Sequence, residues 1–277
     1  MHRDSSLTNF FGQNGLSGSG ALSDTLIMFS RTLALSLVGL MIFSTVWAQD
    51  SDRSFEIVTE DGVTVYGELY EPENVKRPPV IMAFHQGGGD ARGEYTPIIP
   101  RLLSEGYAVV TVDARRGGDR FEGENRTLAG VGDTDYSYCN VLPDLEATLN
   151  YTRQQGLGRI IAWGSSYSAT LVMHLAVKYP NDIDRVISFS PAAGEPMEGC
   201  QPREAASQLS SPALMIRPER EMELGNVAAD MEAFRGMGHQ TYVSESNSHG
   251  SSVLVEQRAG ISPEATWTRV LEFLKAK

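Results

Sequence analysis

Short apolar runs alternate with longer helical segments from residue 79 to the end of the chain, and this alternation restricts the fold more than any other feature. Each apolar run suits a strand buried on both faces: Val80–Phe84, Tyr107–Val112, Arg159–Trp163, Arg185–Phe189, Ala213–Ile216 and Gln240–Ser244. The other segments predict helices: Tyr95–Ser104, Val141–Gln154, Tyr167–Lys178, Gln201–Leu209, Val227–Gly236 and Pro263–Lys275. Strands that alternate with helices indicate an α/β fold with a mostly parallel sheet.

Two further strands are predicted ahead of this series, at Phe55–Thr59 and Val63–Tyr70. Asp61-Gly62 between them is typical of a tight hairpin turn, so these strands should pair antiparallel. The whole pattern predicts a mostly parallel eight-stranded sheet flanked by helices, with no room for a large cap domain. The longest irregular stretches, Ala114–Asn140 and Pro191–Gln201, should shape a pocket at the carboxyl ends of the strands.

The segment Gly164–Ser168 reads GSSYS and lies between a predicted strand and a predicted helix. This context is typical of a nucleophilic serine on a sharp turn, because small neighbours permit the strained backbone that exposes its hydroxyl. Ser166 occupies the nucleophile position, and Ser168 stands where glycine is usual. The alternative is that Ser165 or Ser166 simply caps the following helix.

A glycine-rich loop, His85–Gly89 (HQGGG), directly follows the strand Val80–Phe84. Glycines let backbone amides turn towards an oxygen that becomes negatively charged. The amide of Gln86 or Gly87 is a candidate for one such donor, and the amide of Tyr167 for the other. An ordinary glycine-rich turn is the alternative.

The chain has five histidines, and elimination leaves His249 as the candidate general base. His2, His85 and His239 lie in the N-terminal segment, in the glycine-rich loop and before the last strand. His174 is two helical turns, about 12 Å, from Ser166, which is too far for a hydrogen bond. His249 follows the last strand and is therefore predicted to take the proton of Ser166.

Together these motifs resemble the α/β-hydrolase superfamily, most closely its dienelactone-hydrolase-like and prolyl-oligopeptidase-like serine hydrolases. The resemblance runs from about Phe55 to Lys277 and implies a catalytic triad in the chain order serine, acid, histidine. Dienelactone hydrolases themselves use a cysteine nucleophile, so the resemblance does not extend to lactone specificity.

The resemblance places the acid after the seventh strand, where three glutamates follow Ala213–Ile216. Glu221 fits best when the strand end is aligned with the usual turn. Glu219 and Glu223 remain alternatives, and Glu195 would serve if the acid followed the sixth strand.

The N-terminal segment is predicted to lie outside the folded domain. Residues 1–27 read as a flexible tail or as a mis-assigned start, because Met28 begins a compact signal of its own. Residues 28–48 have the order of a secretory signal peptide, with Arg31, an apolar run and Val46-Trp47-Ala48. We therefore expect an exported hydrolase domain at 49–277, periplasmic or secreted, without a stable membrane span. A retained membrane anchor is the alternative.

The net charge of −12 argues against nucleic acid as a partner, because phosphates require a basic surface. Cys139 and Cys200 form an even pair in a chain predicted to reach an oxidising compartment, so a disulfide between them is one possibility. Two separate buried cysteines are the other. Their spacing fits no zinc site, and we predict no metal.

Three hypotheses of function follow. The first is a serine hydrolase that cleaves small-molecule carboxylic esters through an acyl-enzyme without a cofactor, the second a peptidase or amidase, and the third a catalytically silent binding protein. Arg115 or Arg116 could meet a substrate carboxylate or, more ordinarily, brace the long loop. Tyr136, Tyr138 and Tyr167 are candidates for an aromatic pocket.

Overall fold

One eight-stranded sheet organises the computed structural model, which describes residues 53–132 and 134–276. In chain order its strands are β1 (Ser54–Val58), β2 (Thr64–Tyr70), β3 (Val80–Phe84), β4 (Ala108–Asp113), β5 (Ile160–Ser165), β6 (Ile183–Phe189), β7 (Ala213–Pro218) and β8 (Gln240–Ser244). Their spatial order is β1-β2-β4-β3-β5-β6-β7-β8. The pairs β1–β2 and β2–β4 are antiparallel and the others parallel. The predicted sheet is confirmed.

Helices cover both faces of this sheet. Those in the described residues are α1 (Ala91–Tyr95), α2 (Ile99–Ser104), α3 (Arg126–Val131), α4 (Leu142–Gln154), α5 (Tyr167–Lys178), α6 (Pro202–Gln208), α7 (Val227–Gly236), α8 (Glu256–Ala259) and α9 (Glu264–Lys275). Short 3-10 turns occur at Tyr138–Val141, Glu195–Met197, Glu219–Glu223 and Gly250–Leu254. α4, α5, α6, α7 and α9 lie where the pattern predicts them, to within a residue.

The prediction of one helix over Tyr95–Ser104 is wrong. The chain forms α1 and α2 instead, because Pro97 has no N–H to donate to the carbonyl of Gly93. The guanidinium of Arg258 donates to that carbonyl in its place.

The stretch Ala114–Asn140, which was predicted to be irregular, contains α3. This short helix begins after Asn125, whose side chain accepts a hydrogen bond from the Leu128 amide at 3.1 Å.

Side chains alternate across each strand and divide the core into two layers. Val80, Met82 and Phe84 of β3 belong to the layer covered by α4 and α5, together with Leu145 and Leu171. The intervening residues of β3 face the opposite layer, which contains residues of α2 and α9: Ile81, Ala83, Leu102, Trp267 and Val270. Burial on both faces explains why the central strands β3 and β5 are mostly apolar.

The predicted tail (1–27) and signal peptide (28–48) lie outside the described residues. Within residues 53–132 and 134–276, no helix combines the length and apolar character that a bilayer span requires.

Candidate active site

Ser166 lies on the sharp turn that joins β5 to α5. Its φ of 62° and ψ of −119° place it in a conformation that costs a non-glycine residue about 1–3 kcal/mol. Backbone hydrogen bonds hold it there: the Ser166 amide donates to Phe189 O at 2.8 Å, and the Ser166 carbonyl accepts from Ala169 and Ala192 at 3.1 Å each. Ser166 is partly exposed whereas its neighbours Ser165 and Tyr167 are buried, so the turn presents the Ser166 hydroxyl.

Gly164 and Ser168 make the turn tight. A Cβ atom on Gly164 would lie 2.3 Å from Ser168 O, so no larger residue fits. The Ser168 hydroxyl accepts from the Ser165 amide at 2.8 Å and donates to Phe84 O at 2.6 Å, which ties the turn to β3. A serine in place of the usual glycine therefore adds hydrogen bonds that stabilise the turn.

The structure does not favour the helix-capping alternative. The Ser166 side chain makes no capping hydrogen bond to α5. The Ser165 hydroxyl accepts from the Ser251 amide at 3.0 Å instead.

His249 and Glu221 form a hydrogen-bonded pair after β8 and β7. His249 Nδ1 lies 2.5 Å from Glu221 Oε1, and Arg217 donates to Glu221 Oε2 at 2.8 Å. Burial alone would raise the pKa of Glu221, but the hydrogen bonds and charges of His249 and Arg217 outweigh it and lower that pKa. Glu221 is therefore a buried carboxylate, whereas the side chain of His249 is 39% exposed.

The residues that follow His249 bring it to the serine turn. Gly250 donates to Ser190 Oγ at 3.1 Å, and a Cβ atom on Gly250 would lie 2.1 Å from Ser165 Oγ. Backbone next to His249 thus packs against the residue next to Ser166. Neither Ser166 Oγ nor His249 Nε2 makes a hydrogen bond within the described part of the chain, so both are available to a substrate.

The alternative acids do not contact His249. Glu219, Glu223 and Glu195 are exposed, and among the described residues Glu221 alone bonds to the imidazole. His239 is bonded to the carbonyl of Ala206 at 2.8 Å, away from Ser166.

The glycine-rich loop offers one amide rather than two. The Gln86 amide donates to Glu94 Oε2 at 2.8 Å and cannot face a substrate, which corrects the prediction of Gln86 as a donor. The amides of Gly87 and Tyr167 make no hydrogen bond within the described residues. These two amides can bind a negatively charged oxygen.

The alpha/beta hydrolase fold family model matches residues 79–239, more than half of the chain. The chain belongs to the α/β-hydrolase family.

Several solved structures share this fold. Est1E from Butyrivibrio proteoclasticus is 15% identical with a TM-score of 0.59, over 81% of this chain and all of that one (100%). A Klebsiella pneumoniae protein assigned to the dienelactone hydrolases is 16% identical (TM-score 0.61; 80% of this chain, 98% of that one). An acylaminoacyl peptidase from Pyrococcus horikoshii is 14% identical with a TM-score of 0.61, and the match covers 81% of this chain and 42% of that one. At these identities the likeness is one of fold. No curated protein matches the sequence.

Aromatic and cationic side chains form the rim of this α/β-hydrolase site. The Tyr138 ring stacks on Tyr167 with 4.6 Å between ring centres, and its hydroxyl would lie 2.7 Å from a Cβ atom on Gly87. The guanidinium of Arg116 lies 5.3 Å from the centre of the Tyr138 ring and pairs with exposed Asp135.

Arg115 is buried and braces the loop, in line with the ordinary interpretation. It pairs with Asp144 at 2.7 Å and with Asp61 of the hairpin turn, and it lies 4.9 Å from the centre of the Tyr136 ring. Arg115 and Tyr136 therefore support the site without facing it.

Cys139 and Cys200 form a disulfide. It joins the 3-10 turn that carries Tyr138 to the loop before α6, so it links the two irregular stretches expected to shape the pocket. Among the described residues, no group of three or more histidine, cysteine, aspartate or glutamate side chains is arranged for a metal ion.

Proposed function

We propose that this α/β hydrolase is an exported serine esterase in which Ser166, His249 and Glu221 form the triad. The observation that carries the proposal is the buried Glu221 carboxylate on His249 Nδ1, in a loop whose Gly250 packs against Ser165, the neighbour of the strained and partly exposed Ser166. Because Nδ1 donates its proton to Glu221, the lone pair of Nε2 is free to accept the proton of a serine hydroxyl.

In the proposed reaction, His249 Nε2 takes the proton of the Ser166 hydroxyl while Ser166 Oγ attacks the ester carbonyl carbon. The carbonyl oxygen becomes negatively charged and accepts hydrogen bonds from the amides of Gly87 and Tyr167. The carbon–oxygen bond to the alcohol breaks, and the alcohol leaves with the proton held by His249. Water then attacks the acyl-enzyme, with His249 again as base, and releases the acid.

Two of the similar structures support an ester substrate: Est1E, which binds ferulic acid, and the Klebsiella pneumoniae protein assigned to the dienelactone hydrolases share this fold. The chain spans 42% of the length of the acylaminoacyl peptidase. A peptidase or amidase is the second candidate, because the same triad cleaves both bonds.

Hydrolysis of p-nitrophenyl esters of short and long acyl chains tests the proposal, with a peptidyl p-nitroanilide alongside. We expect ester hydrolysis, lost by at least about 10³-fold in Ser166→Ala, while Ser104→Ala on the exposed surface keeps wild-type activity. Faster cleavage of the anilide would favour the peptidase. A folded protein that cleaves neither substrate and does not react with a fluorophosphonate would be a binding protein.

A further inference from the structure

Glu94 is a fully buried carboxyl directly behind the glycine-rich loop. It lies on α1, and its Oε2 accepts the Gln86 amide at 2.8 Å. Its Oε1 has no hydrogen-bond partner within the described residues. Burial of an acid without an ion pair costs stability, and the acceptor that this carboxyl offers is used by the Gln86 amide.

The backbone around Glu94 is held on several sides. The Asp90 side chain accepts the Gly93 amide at 2.7 Å and so caps α1, and the Ala91 amide donates to Asp113 at 3.0 Å. Arg258 donates to the Glu94 carbonyl at 3.0 Å. These hydrogen bonds fix the backbone that carries the Glu94 carboxyl and so fix its position relative to Gln86.

The carbonyl of Gln86 is held as firmly as its amide. The Ala114 amide donates to His85 Nε2 at 2.9 Å, so Nδ1 carries the proton and donates to Gln86 O, also at 2.9 Å. The Gly89 amide donates to the same oxygen at 3.1 Å. Because N–H and C=O of one trans peptide point in opposite directions, an inward Gln86 carbonyl turns the Gly87 amide outward.

The geometry points to Glu94 as a positioning residue that acts through Gln86: together with His85 it fixes both sides of Gln86 and so aims the Gly87 amide at the substrate oxygen. This inference rests on the proposed function. It assigns to Glu94 the role of a hydrogen-bond acceptor, which glutamine can fill and leucine cannot.

The contacts of Ser165 connect the same carboxyl to the other two catalytic loops. The Ser165 hydroxyl faces the Glu94 carboxyl and also accepts the Ser251 amide at 3.0 Å. The glycine-rich loop, the serine turn and the histidine loop therefore meet at one buried cluster. Displacement of the Glu94 side chain should disturb the glycine-rich loop most directly, because the carboxyl is hydrogen-bonded to the Gln86 amide of that loop.

The test compares Glu94→Gln with Glu94→Leu in the full-length folded protein, with kcat expressed per site titrated by a fluorophosphonate. We expect Glu94→Gln to stay within about threefold of wild type, and Glu94→Leu to lose about 10- to 100-fold in kcat with little change in KM. Inhibition by an aryl boronic acid, whose tetrahedral oxygen would bind the same amides, should weaken by a similar factor in Glu94→Leu alone. Asp230→Leu, which removes another buried carboxyl, is the matched control.

Equal kcat per titrated site in Glu94→Leu and wild type, or equal losses in the two Glu94 variants, would overturn the inference. Amide hydrogen exchange tests it independently of activity, because the Gln86 amide should be protected in wild type and Glu94→Gln and unprotected in Glu94→Leu. An unprotected Gln86 amide in wild type also overturns it. A wild type that the fluorophosphonate does not label overturns the proposed function instead.

Discussion

At the residue scale, burial singles out Glu221 from its neighbours. Glu221 is enclosed between Arg217 and His249, and only a charged carboxylate there can both pair with the guanidinium and hold the imidazole proton at Nδ1. We therefore expect Glu221→Gln to lower kcat by about 10²- to 10⁴-fold in the ester assay. Glu219→Gln and Glu223→Gln, which change exposed side chains of the same turn, should leave kcat unchanged. Equal losses in all three variants would contradict the assignment.

Ser168 gives a prediction about stability. Its hydroxyl accepts a hydrogen bond from the buried Ser165 amide and donates one to the buried Phe84 carbonyl. Ser168→Ala leaves the Ser165 amide without a partner, whereas the Phe84 carbonyl keeps the hydrogen bond from the Tyr95 hydroxyl. The substitution should lower the free energy of unfolding by about 1–3 kcal/mol, measured by urea denaturation. Ser207→Ala, which changes an exposed residue of α6, should have no effect. An unchanged midpoint in Ser168→Ala would show that the hydroxyl is dispensable.

Glu94 should make stability depend on pH. Burial raises the pKa of its carboxyl above the ordinary value of 4.5, although the Gln86 amide, the Ser165 hydroxyl and the charge of Arg258 oppose the rise. Tyr95, next to it on α1, and Tyr167 are titratable groups that also interact with this carboxyl. A raised pKa means that the folded state binds the proton more tightly than the unfolded state.

The stability contributed by this proton is complete below pH 4.5 and is lost as pH rises through the folded pKa. Glu94→Gln cannot ionise, so its stability relative to wild type should increase as pH rises above 4.5. Urea unfolding of both proteins across this range measures the difference. A difference that does not change with pH would mean that the folded and unfolded carboxyls titrate alike.

The sequence predicts the residues of the proposed triad more directly than the residues that support them. Ser166 follows from the strand, turn and helix around it, and His249 from elimination among five histidines. The choice between Gln86 and Gly87 depends on Glu94, which approaches the loop only after α1 has folded back, and no local pattern reveals it. Glu221 stands among exposed glutamates of the same type, and only burial distinguishes it.

At the element scale, the central strands β3, β4 and β5 were predictable because burial on both faces makes them mostly apolar. The break between α1 and α2 could have been read from Pro97, which cannot donate the hydrogen bond that one continuous helix needs. α3 is harder to predict, since its residues Arg126–Val131 carry no apolar stripe and it depends on the Asn125 cap. Tertiary contacts decide such short helices more than their own sequence.

The disulfide allows a prediction at this scale, because it closes a loop of 61 residues between two elements of the rim. Cys139→Ser combined with Cys200→Ser should lower the free energy of unfolding by about 2–4 kcal/mol. We also expect a lower kcat/KM, since Tyr138 next to Cys139 covers Tyr167. Urea denaturation and the ester assay measure both effects. Treatment of wild type with a dithiol reductant should reproduce them, and an unchanged midpoint in the reduced protein would contradict the prediction.

At the scale of the whole molecule, the disulfide suits an oxidising compartment outside the cytoplasm. The sheet begins at Ser54, shortly after the predicted cleavage site ahead of Gln49. All eight strands of the described sheet follow this site, so cleavage there leaves each of them in the product.

We accordingly expect the full-length chain, and a chain that starts at Met28, to yield the same exported product in a Gram-negative host. Its intact mass should correspond to a start near Gln49, with the two cysteines oxidised. Leu37→Arg places a charge in the apolar run and should hold the protein in the cytoplasm unprocessed and reduced, whereas Ala48→Glu should block cleavage alone. Recovery of wild type in the membrane fraction at its unprocessed mass would favour a retained anchor. Recovery in the cytoplasm would remove export from the proposed function and leave the triad proposal as it stands.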